Sequence, residues 1–96
     1  MATFITLINY TDQGIRNVKD TLKRGQAAKK LAAKHGCEIK ALYYTMGPHD
    51  AVCRIEAPDD ESYVAFALAA GSLGNIRTLS LRAHSEDEMK RILKNL

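Results

Sequence analysis

The chain has 96 residues and a mass of 10.6 kDa, which is the size of one small domain. Hydrophobic residues make up 46% of it and charged residues 26%, so the composition excludes disordered and fibrous proteins. The formal net charge of +3 is a small surplus, and where it lies matters more than its size. No apolar run approaches the roughly 20 residues of a membrane helix, and residues 1–10 lack the features of a signal peptide.

The chain is predicted to contain four β-strands, in which β-branched and aromatic residues recur. They cover residues 2–10, 37–46, 50–57 and 75–84. Residues 47–49 (Gly-Pro-His) are expected to form a three-residue turn between the second and third strands. That turn would place Lys40 opposite Glu56 and Tyr44 opposite Val52.

Three helices are predicted between and after these strands. The first covers residues 11–36, with a kink expected near residues 22–26, where Gly25 interrupts the apolar stripe. The second covers residues 59–73 and begins with three acids. The third follows a capping box at residues 85–88. Its apolar positions, which are expected to be buried, are Met89, Ile92 and Leu93.

This element order predicts an α+β, ferredoxin-like fold with an additional C-terminal helix. Two split βαβ units around a β-hairpin form a four-stranded antiparallel sheet that carries both main helices on one face. The right-handed crossover rule leaves few alternatives. Residues 1–96 are predicted to form this single domain.

The sheet face that the helices leave open is the expected place of any function. Alternation along the strands puts Ile5, Leu7, Leu79 and Leu81 under the helices. So much apolar surface on the other face of a small protein predicts an interface or a ligand cavity, and hence a homo-oligomer closed face to face or at its edges. The residues expected on the open face include Phe4, Thr6, Ile8, Tyr10, Leu42, Tyr44, Met46, Val52, Arg54, Arg82 and His84.

Two arginines on this face, Arg54 and Arg82, are candidates for binding a small anionic or aromatic molecule. A guanidinium group presents a fork of donors that matches a carboxylate or a phosphate. Phe4, Tyr10 and Tyr44 would then surround the apolar part of that molecule. The alternative for both arginines is a structural ion pair with a neighbouring or partner acid.

His49 and Asp50, at the end of the hairpin, and His84, at the end of the fourth strand, are further candidates for the rim of such a cavity. His49 and Asp50 could act as an acid/base pair or as ligand contacts. The alternative is a plain turn in which Asp50 bonds to local backbone and His49 is exposed. The three histidines have no metal-ligand spacing, so neither a metal nor another cofactor is expected.

The two cysteines, Cys37 and Cys53, indicate a reducing environment rather than a disulfide framework. No CxxC pair is present. Both cysteines lie at positions predicted to face the helices, and about 20 Å along the sheet would separate them. We therefore expect a cytoplasmic protein with two buried, unreactive thiols.

Several stretches follow the pattern of a known family. They are TFITLINYTDQGIRNVKD at residues 3–20, the Gly47–Asp50 turn, EAPDDE at 56–61, FALAAGSLGNIRT at 66–78 and LRAHSEDEM at 81–89. Together they resemble the GYD-domain family of small bacterial proteins over nearly the whole chain. The family name refers to a Gly-Tyr-Asp feature, and His49 stands here in place of that tyrosine. The resemblance implies a fold of the dimeric α/β-barrel type and leaves the activity open.

The leading functional hypothesis is a homo-oligomeric domain that binds a small molecule in a cavity on the open sheet face. The alternative is a cofactor-independent oxygenase or isomerase of the dimeric α/β-barrel type, which rests on analogy of fold. Nucleic-acid binding is a third hypothesis, because lysines and arginines crowd the first predicted helix. It is disfavoured because the sheet aromatics do not follow the pattern of RNA-binding members of this fold. No membrane partner is expected.

Overall fold

The computed structural model describes residues 1–96 and has the predicted α+β architecture. Its four strands form one antiparallel sheet in the order β2-β3-β1-β4. The strands are β1 (Ala2–Tyr10), β2 (Glu38–Tyr44), β3 (Ala51–Ala57) and β4 (Ile76–Ala83). All four predicted strands are confirmed, and their ends differ from the prediction by at most two residues.

The helices are α1 (Asp12–Arg16), α2 (Thr21–Lys34), α3 (Asp60–Ser72) and α4 (Glu86–Leu93), with a 3-10 turn at Val18–Asp20 between the first two. The interruption predicted near residues 22–26 is therefore misplaced, and Gly25 lies within α2. The break comes earlier because α1 is closed at both ends: Thr11 accepts a hydrogen bond from the Gly14 amide, and Arg24 donates to the carbonyl oxygens of Gly14 and Asn17. None of the helices has the length and hydropathy needed to span a bilayer.

The core lies between the sheet and the helices α2 and α3. Phe4 of β1 stacks on Tyr63 of α3, with 3.8 Å between ring centroids and an interplanar angle of 4°. The Tyr63 hydroxyl is hydrogen-bonded both to Thr6 at 2.5 Å and to Ser80 at 2.6 Å, so the polar groups beneath α3 satisfy one another. The buried core comprises Phe4, Ala32, Cys37, Cys53, Ile55, Ala57, Tyr63 and Phe66.

The predicted facing of β1 and β4 is wrong. Phe4 and Thr6 are buried under the helices, whereas Ile5 and Leu7 point to the open face. Leu79 and Leu81 are paired with Leu7 and Ile5, so they lie on the open face too. Both faces of β1 are apolar, so alternation alone does not say which face the helices cover. In the structure the covered face is the one whose Phe4 ring and Thr6 hydroxyl both contact Tyr63 of α3.

The predicted register between β2 and β3 is also wrong. Val52 pairs with Tyr43 rather than Tyr44, because residues 45–50 form a longer loop than the expected three-residue turn and a bulge interrupts β2 at Lys40. A shift of one residue moves side chains to the other face of a strand. Leu42 and Tyr44 therefore lie on the helix side of the sheet, not on the open face.

The capping box before α4 is confirmed: Ser85 accepts from the Glu88 amide, and the Glu88 carboxylate accepts from the Ser85 amide. The predicted burial of α4 is wrong, because Met89, Ile92 and Leu93 are 41%, 40% and 54% exposed. The helix extends away from the core, and the chain measures 49 × 30 × 17 Å. Its radius of gyration of 14.3 Å exceeds the roughly 12.5 Å of a compact domain of this length.

Candidate functional site

A row of apolar side chains crosses all four strands on the open face. Strand register places Tyr43, Val52, Leu7 and Leu79 next to one another, one from each strand. In the neighbouring row Leu81 is paired with Ile5. These six residues are called the open-face band. Tyr43, Leu79 and Leu81 are 67%, 54% and 48% exposed, so no helix of this chain covers the band.

The chain exposes more surface than a compact monomer of its mass. Its accessible area is 6682 Å², about 1,200 Å² above the roughly 5,500 Å² expected at this mass. Only 11 of the 96 residues are buried. The surplus exceeds the roughly 800 Å² that each partner buries in a protein interface of ordinary size.

A second feature is a cavity of about 100 Å³ on the opposite side of the sheet, between the sheet and helices α2 and α3. Thirteen of its eighteen lining residues are hydrophobic. Tyr10 and Tyr44, two of the predicted ligand-binding residues, both line it. On the open face itself there is a wider, more open concavity of about 320 Å³, whose lining includes Ile5, Tyr43, Val52 and the predicted Arg54.

The structure does not bring the two predicted arginines together. Arg54 is paired with Ile5 and projects from the open face, where it is exposed. Arg82 is paired with Phe4, on the helix side; its guanidinium lies 5.5 Å from the centre of the Phe4 ring and donates to the carbonyl oxygens of Thr3 and Ala83. The expectation that both share one face is wrong, because β4 faces the other way.

His49 and Asp50 lie where the hairpin loop meets β1. Their side chains diverge: Asp50 accepts a hydrogen bond from the Tyr10 amide at 2.9 Å, and His49 Nδ1 lies 2.9 Å from Asn9 Oδ1. Asn9 also donates to the Pro48 carbonyl. These bonds tie the β2–β3 loop to β1 and give both side chains structural partners. They differ from the plain turn considered above, because Asp50 bonds to the distant backbone of Tyr10 and His49 is half-buried.

His84 is placed at the start of α4 rather than at a cavity. Its Nδ1 lies 3.7 Å from the Glu88 carboxylate. Hydrogen bonding to the Ser85 amide lowers the pKa of Glu88, with a smaller contribution from His84. Asp59, which caps α3, has a lowered pKa for the same reason, since it accepts from Ser62. Both shifts therefore come from helix capping.

The two thiols are buried, as predicted. Burial raises the pKa of Cys53 to about 11, although hydrogen bonding with Thr6 opposes part of the shift. Burial also raises the pKa of Cys37, with a smaller contribution from Asp59. Neither thiol is activated as a nucleophile at neutral pH. No group of three or more His, Cys, Asp or Glu side chains is arranged to hold a metal ion.

A cationic stripe runs along the outer side of α2. Lys23, Lys30 and Lys34 are exposed and occur at i, i+7 and i+11, which places them on one helix face. None of them forms an ion pair, whereas Lys40 and Lys90 do. Their charges are therefore free to meet an acidic surface.

The sequence interpretation missed the leucines of the open-face band and the small residues that line the helix-side cavity. Leu79 and Leu81 were expected in the core because alternation along the strand put these leucines on the helix side. One signal was available: β1 is apolar at consecutive positions from Phe4 to Ile8 apart from Thr6, which is typical of a strand with both faces covered. Gly25 and Ala28 gave no comparable signal.

Comparisons with known proteins agree with this architecture. A crystal structure of a protein from Thermus thermophilus superposes with a TM-score of 0.57 at 24% identity, covering 88% of this chain and 95% of that one. A Thermus thermophilus protein named glutamine synthetase and cystathionine beta-lyase binding protein is 32% identical over 84 residues, which are 86% of this chain and 88% of that protein. Residues 4–93 match the family described as the GYD domain. The chain therefore belongs to the GYD domain family.

Proposed function

We propose that this protein is a homodimeric binding protein of a bacterial cytoplasm, in which a second copy covers the open-face band and the dimer binds another protein. The observation that carries the proposal is the uncovered apolar band in a chain with a surplus of exposed surface. A second copy of this chain is the proposed occupant, because most oligomers of soluble proteins are homo-oligomers in which the same surface patch of each subunit meets.

The band has the chemistry of a dimer interface. Tyr43, Val52, Leu7 and Leu79 form an apolar row across the sheet, and Arg54 stands beside it. Interfaces of homodimers combine an apolar centre with aromatic and arginine residues. Burying the surplus of about 1,200 Å² per subunit would give an interface in the range of obligate dimers. A second copy would also cover the parts of Met89 and Ile92 of α4 that stay exposed in their own chain.

The proposed partner is a protein with an acidic surface. The related Thermus thermophilus protein is named for binding glutamine synthetase and cystathionine beta-lyase, which supports protein binding as the family role of this chain. Lys23, Lys30 and Lys34 offer a row of unpaired positive charges on α2, on the helix-covered side of each subunit. Charge complementarity of this kind steers association and selects partners.

Binding is favoured over the oxygenase or isomerase alternative. A catalytic site needs titratable groups with shifted pKa values that converge on one pocket. The four groups with shifted pKa values here are two buried thiols and two helix-capping carboxylates. They have structural partners of their own.

The dimer is tested by light scattering on the purified chain at micromolar concentration. We expect a mass of twice 10.6 kDa for the wild type. Leu79→Asp should be monomeric, since an unpaired charge buried in an interface costs several kcal/mol. Leu68→Asp is the matched control, because Leu68 is 69% exposed on α3 and does not belong to the open-face band; it should remain dimeric. A monomeric wild type would overturn the dimer.

The protein partner is tested with purified glutamine synthetase and cystathionine β-lyase from the same organism. Titration calorimetry should show binding to at least one of them that weakens as salt increases. The double variant Lys23→Glu/Lys30→Glu should weaken binding at least about tenfold, because reversed charges repel an acidic surface. Lys94→Glu, just after α4, is the control and should bind as the wild type does. Equal binding by all three forms would exclude α2 as the contact surface.

A further inference from the structure

The cavity between the helices and the sheet results from the choice of side chains on α2 and α3. Gly25 and Ala28 of α2 and Ala67 and Ala70 of α3 all line it. A Cβ atom on Gly25 would come within 3.0 Å of the Tyr44 hydroxyl oxygen. The side chains of these small residues are too short to fill the space between the helices and the sheet. Larger residues at the same positions would have filled it as part of the core.

The inner wall of this cavity is uncharged, and the polar atoms at its centre already have partners. The hydroxyls of Thr6 and Tyr63 are bonded to one another, and Tyr63 is bonded in addition to Ser80. Cys53 carries a neutral thiol, since burial raises its pKa to about 11. A molecule entering the inner part of this space meets hydrocarbon and rings, and the one charged residue of the lining, Arg24, is hydrogen-bonded to carbonyl oxygens near α1.

Hydroxyl groups collect at one end of the cavity. Tyr10 Oη lies 3.4 Å from Thr21 Oγ1, and the Tyr44 hydroxyl lies beneath Gly25, one turn further along α2. The Tyr44 hydroxyl has no hydrogen-bond partner within the chain, and its side chain is 47% exposed. The nearby Arg24 guanidinium donates hydrogen bonds to the carbonyl oxygens of Gly14 and Asn17. Two hydroxyls of the lining are therefore free, those of Tyr44 and Thr78, which lie on opposite edge strands of the sheet. The one beneath α2 is that of Tyr44.

We propose that this cavity is a binding site for an uncharged, ring-sized organic molecule that carries one hydrogen-bonding group. A cavity of about 100 Å³ is close to the roughly 150 Å³ that accommodates a benzene ring in an engineered protein core. The ring packs among Leu42, Phe66 and Ala67, and its polar group bonds to the Tyr44 hydroxyl. A charged molecule is disfavoured, because the one charged group of the lining, the Arg24 guanidinium, is held by the carbonyl oxygens of Gly14 and Asn17 and would have to leave them to pair with it. The site is on the other side of the sheet from the open-face band and does not depend on the dimer.

The probes are phenol and benzoate, which share a ring and differ in charge. Each is titrated into the isotope-labelled wild type while amide chemical shifts are followed by NMR. Phenol should give saturable shifts at residues that line the cavity, and benzoate should bind at least about tenfold more weakly. Benzoate binding as tightly as phenol would overturn the proposed ligand class. Absence of saturable shifts with phenol would overturn the site.

Leucine substitutions that fill the cavity can be compared with leucine substitutions at exposed positions of the same helices. Ala28→Leu and Ala67→Leu extend side chains into it from α2 and α3, and phenol affinity should fall at least about tenfold in each. Ala27→Leu and Ala65→Leu add the same atoms at exposed positions of the same helices and should bind phenol as the wild type does. Unchanged affinity in a folded, filled variant would overturn the site.

Tyr44→Phe tests the polar contact without altering the packing. Removing one hydroxyl should weaken phenol about threefold to tenfold, the usual range for one hydrogen bond, while toluene should bind equally to both forms. Equal phenol affinity in wild type and Tyr44→Phe would show that Tyr44 does not hold the polar group.

Discussion

The two faces of the sheet are both apolar, yet they are built differently. On the helix-covered face, Phe4 stacks on Tyr63 and the Thr6 hydroxyl is bonded to the same residue. On the open face, Leu7 and Leu79 are bare aliphatic side chains with no partner element. Hydrophobicity alone therefore does not mark the inside of this protein. On the covered face the side chains fit one particular helix, whereas the open face presents exposed apolar side chains that contact no helix of this chain.

The largest expected effect separates the two faces directly. Phe4→Ala should lower the free energy of unfolding by about 3–5 kcal/mol, because it empties a buried ring position. Leu7→Ala, three residues along the same strand and on the open face, should act mainly on association. Urea denaturation at two protein concentrations distinguishes the two variants. The destabilisation by Leu7→Ala relative to the wild type should become smaller at low concentration, where the subunits are already separated, whereas the destabilisation by Phe4→Ala should not change. Similar, concentration-independent losses would remove the distinction.

The buried Cys53 thiol on the covered face should make the folded protein less stable at alkaline pH. Cys53 has a folded pKa of about 11 against 9.0 in the unfolded chain. Below pH 9 both states keep the proton and stability is unaffected; between pH 9 and 11 only the unfolded state loses it, so stability falls by up to about 3 kcal/mol. Denaturation at pH 8 and pH 10.5 should show a smaller loss for Cys53→Ala than for the wild type. The same loss in both would assign the alkaline effect to other groups.

The helix α4 belongs with the uncovered surface, so weakening it should affect the dimer and not the core. Ser85→Ala removes the N-cap of α4. Each lost cap should cost about 1 kcal/mol of helix stability. Because the dimer contains two copies of α4, its dissociation constant should rise roughly thirtyfold. Analytical ultracentrifugation measures that constant. Ser72→Ala, at the exposed end of α3, is the control and should leave it unchanged. An unaltered constant in Ser85→Ala would place α4 outside the interface.

The smallest expected effect is a gain in stability on the covered face. Gly25→Ala should raise the free energy of unfolding by about 0.5–1 kcal/mol, because alanine favours a helix over glycine. The new Cβ meets the Tyr44 hydroxyl at 3.0 Å, but this is the far end of a half-exposed side chain that can move. Gly14→Ala is the contrasting variant, since its Cβ would overlap the backbone oxygen of Asn75, and it should destabilise. If Gly25→Ala instead lowers the free energy of unfolding, the Tyr44 side chain does not move away from the new Cβ and is held in place.

Much of the fold was predictable because its signals are local. The order of the elements follows from periodicities within ten or fifteen residues. The caps at Thr11, Asp59 and Ser85 each accept a hydrogen bond from the backbone amide three positions further along the chain. Gly36 and Gly74 have positive φ angles of 72° and 86° just beyond α2 and α3, as expected of helix stops. The burial of both cysteines was also predictable, since both were expected on the helix side of the sheet.

Local sequence patterns are sufficient for the element order, the capping box before α4, the family resemblance and the apolar character of a second sheet face. Tertiary structure alone decided which side chains form that face, because β1 offers apolar residues on both sides and the outcome depends on how Tyr63 meets Phe4 and Thr6. It also decided that Tyr10 and Tyr44 share a cavity beneath α2, since a bulge at Lys40 changed the facing of β2. Facing and register depend on contacts between distant segments, and a one-residue shift reverses them without altering any local pattern.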